Sequence, residues 1–263
     1  MKTNFINNVI RCELKDSKKN PPTRHQQFPD HLHDFYEICI VLDEEIKFIT
    51  DNKIHYLSPN SFIIIPPSKY HHVISKGNNY KRIILWFEIE PNNTNTSFPF
   101  LEDIFAYDYS KVSPLLGLIS SFEHLTKKAD SKLLFPAAEG FLINLFMQIN
   151  YIEPLNAKEK EHTPLLKAIL DFLNANLNKK LYLNDIAEQF YISPVYLEKI
   201  FKSNMHISLM HYFREKQLLQ AKSLILQGEK PTSVYLMCGF DNYTTFYKSF
   251  VKQFGCSPKN IKK

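Results

Sequence analysis

The sequence predicts a two-domain protein of the mixed α+β class, with an N-terminal β-barrel that carries two helices and a C-terminal domain built only of helices. Short apolar segments separated by turn residues occupy 35–90, as in barrels and sandwiches. The apolar spacing becomes helical from about residue 112, and a helical motif then occurs twice, about 48 residues apart. We place the two domains at 1–153 and 164–263, with a polar linker at 154–163.

Charge is divided unevenly between the two parts of the chain. Residues 1–160 contain 18 basic and 19 acidic side chains, a net charge of −1, whereas residues 161–263 contain 14 and 8, a net charge of +6. A basic region beside a near-neutral one indicates that the second part binds a polyanion such as nucleic acid. The four cysteines form no CxxC pair, and the chain shows neither a signal-peptide core nor an apolar run of about 20 residues. We therefore expect a cytoplasmic protein with no membrane partner.

The first domain is predicted to contain short strands joined by tight turns. Asp51-Asn52 tolerates a positive φ and predicts a hairpin turn, and Ser58-Pro59-Asn60-Ser61 predicts a second turn with Asn60 at positive φ. The predicted strands are Phe35–Leu42, Ile46–Thr50, Lys53–Leu57, Phe62–Ile65, Val73–Ser75 and Lys81–Glu90.

Two amphipathic helices follow the strands. Apolar residues recur every three or four positions from Val112 to Leu125 and from Phe135 to Ile149. These helices either cover the barrel or present a dimerisation surface, and the two interpretations are compatible. We expect a homodimer through the helices of 112–152.

The second domain contains a first short helix, a tight turn and a capped helix. Thr163 is suited to cap the opening helix and Pro164 to begin it. A short helix at 183–190 leads to a turn in which Ser193 is a good cap and Pro194 a good first residue. Since the following helix has one polar face, the arrangement is a helix-turn-helix.

The same arrangement recurs after a long connecting helix. A short helix at 231–238 leads to a turn at Gly239, and Asp241 or Asn242 is suited to cap the helix that Gly255 ends. Two helix-turn-helix units joined by one helix are therefore predicted.

Taken together, these motifs resemble the C-terminal domain of the AraC/XylS family of bacterial transcription regulators, over about 165–262. They are Asp185-Ile186-Ala187, Ile192-Ser193-Pro194, Tyr196-Leu197, Phe201-Lys202, Tyr212, Ala221, Cys238-Gly239-Phe240, Phe246 to Phe250, Phe254-Gly255 and Ser257-Pro258. The resemblance implies binding to double-stranded promoter DNA, with two recognition helices in adjacent major grooves about 34 Å apart. It also implies contact with RNA polymerase, and action as an activator or a repressor.

Carried over by position, the resemblance places one face of each recognition helix against DNA. Lysines suit phosphates or guanine, Val195 suits a thymine methyl, and Glu198 suits cytosine N4 or repels phosphate and sets the register. The alternative is that these are ordinary solvated residues. The predicted set is Val195, Glu198, Lys199 and Lys202 in the first unit, and Tyr243, Thr244, Tyr247 and Lys248 in the second.

Several residues depart from the family pattern. Tyr191 and His206 stand where Gly or Asn is usual, and a bulky residue at positive φ costs about 1–3 kcal/mol, so the first unit is either strained or reshaped at its turn. Gln217 replaces an Arg of the connecting helix, Tyr182 replaces a Ser or Thr cap, and Tyr235 replaces a small residue. We expect the second unit to contribute less to DNA binding than the first.

Residues 31–38 and 57–71 resemble the cupin-like effector domain of the same family. The pattern His31-x-His33-x3-Glu37, with the later His71, holds residue types that Zn, Fe or Mn favour as ligands. In these regulators the same residues usually line a pocket without a metal. We therefore expect no metal and no other cofactor, and a pocket for a small-molecule effector lined by His31, His33, Glu37, His71 and Trp86.

The sequence favours an effector-responsive, sequence-specific transcription regulator that is not an enzyme. One alternative is a cupin-type metal-dependent enzyme fused to a helical domain, which stoichiometric metal would favour. Another is a degenerate regulator that acts through protein contacts of Tyr235–Met237, which the absence of salt-dependent binding to its own upstream DNA would favour.

Overall fold

The computed structural model describes residues 6–16, 32–75, 80–89, 98–151 and 158–261. The chain divides into two compact units, Met1–Glu161 and His162–Lys263. The first, here called the N-terminal unit, is rich in strands, and the second, here called the C-terminal unit, is helical. This confirms the predicted fold class.

The first unit contains two antiparallel sheets. Their strand orders are β1-β7-β2-β5-β8 and β6-β3-β4-β9, where the strands are β1 (Ile6–Asp16), β2 (Tyr36–Val41), β3 (Ile46–Thr50), β4 (Lys53–Leu57), β5 (Ser61–Ile65), β6 (His71–Ser75), β7 (Lys81–Ile89), β8 (Phe105–Asp108) and β9 (Lys158–Glu161). A core of branched aliphatic and aromatic side chains fills the space between the sheets, with Val41, Phe48 and Ile63 fully buried.

The six predicted strands match β2 to β7 to within two residues, and Glu90 lies outside the described residues. The sequence missed β1, β8 and β9. β9 lies in the segment predicted as linker, and its residues Lys-Glu-Lys-Glu carry no apolar signal. It adds to the edge strand β4 through the backbone and through an ion pair, 2.7 Å long, between Lys53 Nζ and Glu159 Oε2.

The two predicted turns of this unit differ in their outcome. Asn60 has a φ of 64°, as predicted, whereas Asn52 does not have the positive φ that the sequence suggested. The hairpin between β3 and β4 is instead stabilised by Thr50. Its hydroxyl donates to the Lys53 carbonyl at 2.8 Å and accepts from the Lys53 N–H at 3.1 Å, so the backbone needs no left-handed residue there.

Helices α1 (Ser113–Thr126) and α2 (Ser131–Ile149) pack on the outer face of the larger sheet. Leu142, Leu145 and Phe146 of α2 are completely buried in this second core, which confirms that the helices cover the barrel. Leu125 and Phe135, predicted within the apolar stripes, are instead 45% and 39% exposed because they lie on the side away from the sheet. The stretch Lys132–Ile149 has the length and composition of a membrane span, as core helices also do.

The second unit consists of six helices followed by a 3-10 turn at Pro258–Asn260. Thr163, Ser193, Ser208 and Asn242 cap helices through their side chains. The helices are α3 (Pro164–Ala175), α4 (Leu183–Gln189), α5 (Pro194–Met205), α6 (Leu209–Leu226), α7 (Pro231–Met237) and α8 (Tyr243–Phe254).

Candidate nucleic-acid interface and effector pocket

The first recognition helix is α5, which follows α4 after a turn at Tyr191. Tyr191 has a φ of 55°, so the turn retains a left-handed backbone conformation at this residue, with the strain that a bulky side chain has there. The Ser193 side chain then accepts a hydrogen bond from the Tyr196 N–H at 3.2 Å and begins the helix. Leu197 and Phe201 are fully buried and fix one side of α5, which leaves the opposite side exposed.

Three of the four residues predicted to face DNA from this helix lie on its exposed side. Val195 is 79% exposed, and Lys199 and Lys202 are exposed as well. Glu198 is half-buried, and its carboxylate accepts a hydrogen bond from the backbone N–H of Leu209 at 3.2 Å. Glu198 therefore holds the first turn of α6, a role that fits positioning of the helix better than reading of a base.

The second recognition helix is α8, and it is built in the same way. Gly239 has a φ of 69° at the turn, and Asn242 caps the helix by accepting from the Thr245 N–H at 2.8 Å. Of the two predicted caps, Asn242 is therefore the one used. Phe246 and Phe250 are fully buried on the inner side of the helix.

The predicted DNA-facing residues of α8 divide into two groups. Thr244 and Lys248 are exposed, and Tyr247 is 41% exposed. Tyr243 is half-buried, and its ring lies 5.8 Å from that of Phe246 and 5.9 Å from that of Tyr235. Tyr243 thus packs against the core and connects α8 to α7. The unusual tyrosine at position 235 is its contact on α7.

Helix α6 contacts both helix-turn-helix units. On one side, Tyr212 of α6 contacts Phe201 of the first recognition helix, with ring centroids 5.3 Å apart. On the other side, Leu218 and Ala221 belong to the cluster that also contains Val234 and Phe246. The two recognition helices are therefore positioned by the same helix.

A second connection between the units runs through Gln217, which is only 1% exposed. Its Nε2 donates to the carbonyls of Leu177 and Lys179 at 3.1 and 2.9 Å, and so fixes the loop that precedes α4. The turn of the second unit lies against the same loop, since a Cβ on Gly239 would lie 2.3 Å from the Lys179 carbonyl oxygen. The change from Arg to Gln thus retains a buried donor.

In the N-terminal unit, four of the five predicted pocket residues converge in the space between the sheets. Glu37 accepts a hydrogen bond from the Trp86 indole N–H at 2.7 Å. His33 Nε2 lies 3.4 Å and His71 Nε2 lies 3.7 Å from the same carboxylate oxygen, Oε2. Both histidines and Glu37 are buried. The fifth residue, His31, lies outside the described residues.

The sequence did not reveal that basic residues share this inner face. Arg11 pairs with Trp86 and Lys15 with Arg82 across β1 and β7, so their side chains lie on the same face of the sheet. The Arg11 guanidinium lies 4.6 Å from the centre of the Trp86 ring. Burial, with Arg82 nearby, lowers the pKa of Lys15. The missed signal is the alternation of charged and apolar residues in β1, which resembles a solvent-exposed strand.

Comparison with known proteins gives the same division of the chain. Residues 22–113 match the model of an AraC-like ligand binding domain, and residues 186–263 match that of a helix-turn-helix domain. The chain is 23% identical to the HTH-type transcriptional activator RhaR of Mannheimia succiniciproducens, over 92% of this chain and 91% of that protein. It is 22% identical to the activator RhaS of the same organism, over 98% and 100%. The solved C-terminal domain of AraT, a response regulator from Geobacillus stearothermophilus, is 25% identical over 37% of this chain and 82% of its own, with a TM-score of 0.36.

The two family matches, the related activators and the two helix-turn-helix units define the protein as a DNA-binding transcription regulator with an N-terminal ligand-binding domain. More specifically, the chain belongs to the AraC/XylS family of regulators. Its relatives are transcription regulators rather than enzymes.

Proposed function

We propose that this protein is a cytoplasmic, effector-responsive transcription regulator that inserts α5 and α8 into adjacent major grooves of promoter DNA. The observation that carries the proposal is the pair of recognition helices, each anchored by buried residues on one side and exposed on the other, on the shared helix α6. The net charge of +6 over 161–263 supports binding to a polyanion.

The exposed residues suggest how contacts are divided. Lys199, Lys202 and Lys248 are suited to phosphates or to guanine, and Val195 to a thymine methyl. Thr244 and Tyr247 offer hydroxyl groups from α8. Glu198 acts indirectly in this proposal, because its carboxylate already accepts from the N–H of Leu209.

The experiment is fluorescence anisotropy of the full chain on DNA from upstream of its own gene, at several salt concentrations. We expect sequence-specific binding, about tenfold weaker in Lys199→Ala, with the salt dependence reduced by about one phosphate contact. Lys167→Ala is the matched control, since Lys167 is exposed on α3 of the same C-terminal unit and lies outside the predicted interface. Equal losses in both variants, or binding without salt dependence and sequence preference, would overturn the proposal.

We infer that the N-terminal unit binds a small-molecule effector through the inner face that carries His33, Glu37, His71 and Trp86. The match of 22–113 to a ligand-binding domain supports this assignment. Buried, convergent polar groups beside an apolar core are typical of such sites. The relatives named activators favour activation through contact with RNA polymerase.

A homodimer through the helices of 112–152 is also proposed. Leu133, Ile143 and Met147 of α2 are 66%, 38% and 44% exposed and recur at helical spacing on the side away from the sheet. Gly140 lies within this stripe, and a Cβ there would meet nothing within 4 Å, so a second helix has room to approach. In sedimentation experiments, Ile143→Glu should yield a monomer. Thr232→Glu, which adds the same charge to exposed α7, should leave the dimer intact, and a wild-type monomer would refute the interface.

A further inference from the structure

We propose that His33, Glu37 and His71 bind one divalent transition-metal ion of the zinc type, within the pocket proposed above for the effector. The inference rests on the proposed function only in taking this cluster as part of the effector pocket, and it differs from the expectation of a metal-free site. The three ligand atoms lie within 4.8 Å of one another, and the three residues are 6%, 3% and 1% exposed.

The distances within the cluster are compatible with three ligands of one cation. The two imidazole Nε2 atoms lie 3.4 and 3.7 Å from Glu37 Oε2. Ligand atoms of a tetrahedral zinc ion with bonds of about 2.0–2.1 Å lie about 3.3–3.4 Å apart. The two His–Glu distances are close to this value, and the three ligand atoms all lie within 4.8 Å of one another, so a small movement of the imidazoles would complete the site.

The orientation of His33 fits the same role. Its Nδ1 lies 2.8 Å from the carbonyl oxygen of Phe35, so Nδ1 is the nitrogen that carries the proton and donates. The Phe35 ring also stacks on the imidazole at 4.2 Å and fixes its plane. This hydrogen bond orients the ring so that Nε2 faces Glu37, as in histidines that ligate metals.

Glu37 is held by a partner outside the cluster. The Trp86 indole N–H donates to Oε2 at 2.7 Å and restricts the carboxylate to one orientation. A carboxylate oxygen has lone pairs for both this bond and a metal ion. A divalent cation would add positive charge beside this buried carboxylate, together with the basic Lys15 and Arg82 that share the inner face.

The cluster spans both sheets, and this gives metal binding a structural consequence. Glu37 belongs to β2 of the larger sheet, His71 belongs to β6 of the smaller one, and His33 precedes β2. Three protein ligands leave one position of a tetrahedral ion for water or for a ligand oxygen, as in zinc sites that bind substrates. We therefore infer that the ion joins the sheets and presents a coordination position to a bound effector.

The test uses the full chain, stripped with a chelator and titrated with Co²⁺ and then with competing Zn²⁺. We expect one ion per chain, the intense visible absorption of tetrahedral Co²⁺, and quenching of the fluorescence of Trp86, the only tryptophan. His71→Gln should weaken binding by more than about 100-fold, and Trp86→Phe by about tenfold, as partners of ligands do. The matched control is His72→Gln, since His72 is the half-buried neighbour of His71 on β6 and lies outside the cluster.

Wild-type protein supplies a readout that does not depend on the folding of any variant. Zn²⁺ should raise the melting temperature of the N-terminal unit, because the ion binds the folded state only. A folded wild-type protein that takes up no stoichiometric Co²⁺, or equal weakening in His71→Gln and His72→Gln, would overturn the proposal. DNA binding is measured on the same samples, so a failure of the metal site is distinguishable from a failure of DNA recognition.

Discussion

The two helix-turn-helix units reach the same backbone geometry with different residues. The turn of the first unit has Tyr191 at a φ of 55°, and that of the second has Gly239 at 69°. The same contrast recurs where the recognition helices end, with His206 at 62° and Gly255 at 69°. The first unit thus keeps non-glycine residues in the left-handed region, whereas the second uses glycine at both positions.

This difference shows that a left-handed turn residue is constrained by two separate factors. One is the backbone cost, which any side chain at positive φ incurs. The other is the space around the Cβ, and here the units differ completely. Tyr191 is 97% exposed, whereas Gly239 lies against the Lys179 carbonyl. The turn of the first unit therefore tolerates a large side chain at a cost, and that of the second does not.

The largest effect is expected for Gly239→Ala. The new Cβ would lie 2.3 Å from the Lys179 oxygen and 2.8 Å from Gln217 Nε2, so the loop before α4 must move. Backbone strain and overpacking together should lower the free energy of unfolding by about 3–5 kcal/mol. Urea unfolding followed by far-UV circular dichroism measures the loss, because the helices of the C-terminal unit dominate this signal.

Gly255→Ala is the control for that prediction. Gly255 has the same φ, but a Cβ there would meet nothing within 4 Å. Only the backbone term remains, and we expect a loss of about 1 kcal/mol. Similar losses in the two variants would show that space around Gly239 is irrelevant and would remove the distinction between the two turns.

The next effect concerns the connection between the units. Gln217→Ala removes two hydrogen bonds and leaves the carbonyls of Leu177 and Lys179 without this donor, so a loss of about 2 kcal/mol is expected. Gln189→Ala, at an exposed position of α4, should change the free energy of unfolding by less than about 0.5 kcal/mol. If Gln217→Ala were equally neutral, the loop before α4 would be held by other contacts.

The sequence predicted what local signals determine. The caps Thr163, Ser193 and Asn242, and the glycine turn at Gly239, were found because each depends on residues within four positions. The buried faces of α5 and α8 followed from apolar periodicity.

What the sequence missed depends on partners distant in the chain. The acceptor role of Glu198 requires Leu209, and β9 docks on β4 through Lys53, which lies 106 residues before Glu159. The sequence predicted a DNA contact for Glu198 and a polar linker for the residues of β9, because their local patterns do not show these distant partners. In the pocket, the residue types were readable, but the distances among His33, Glu37 and His71 depend on how the two sheets pack.

A further prediction compares the units in DNA binding. The first recognition helix exposes Lys199 and Lys202 in the predicted interface, whereas the second exposes Lys248 from a helix whose Tyr243 is committed to the core. We therefore expect Lys199→Ala to weaken binding about tenfold and Lys248→Ala about threefold, within the range for single contacts. Equal losses in anisotropy titrations at one salt concentration would show that the units contribute equally.

The smallest effect, and the one that isolates the backbone term, is expected for Tyr191→Asn. Asn populates the left-handed region more readily than Tyr, and the lost ring is 97% exposed, so little packing is sacrificed. The free energy of unfolding should rise by about 0.5–1 kcal/mol. Tyr196→Asn makes the same chemical change at a half-exposed position inside α5, where the backbone is right-handed and Asn is the poorer helix former, so a loss of a few tenths of a kcal/mol is expected. Opposite signs for one substitution at the two tyrosines, in the same unfolding measurement, would support a backbone cost at the positive φ of Tyr191. A loss at both would mean that the Tyr191 ring stabilises the turn enough to offset its strain.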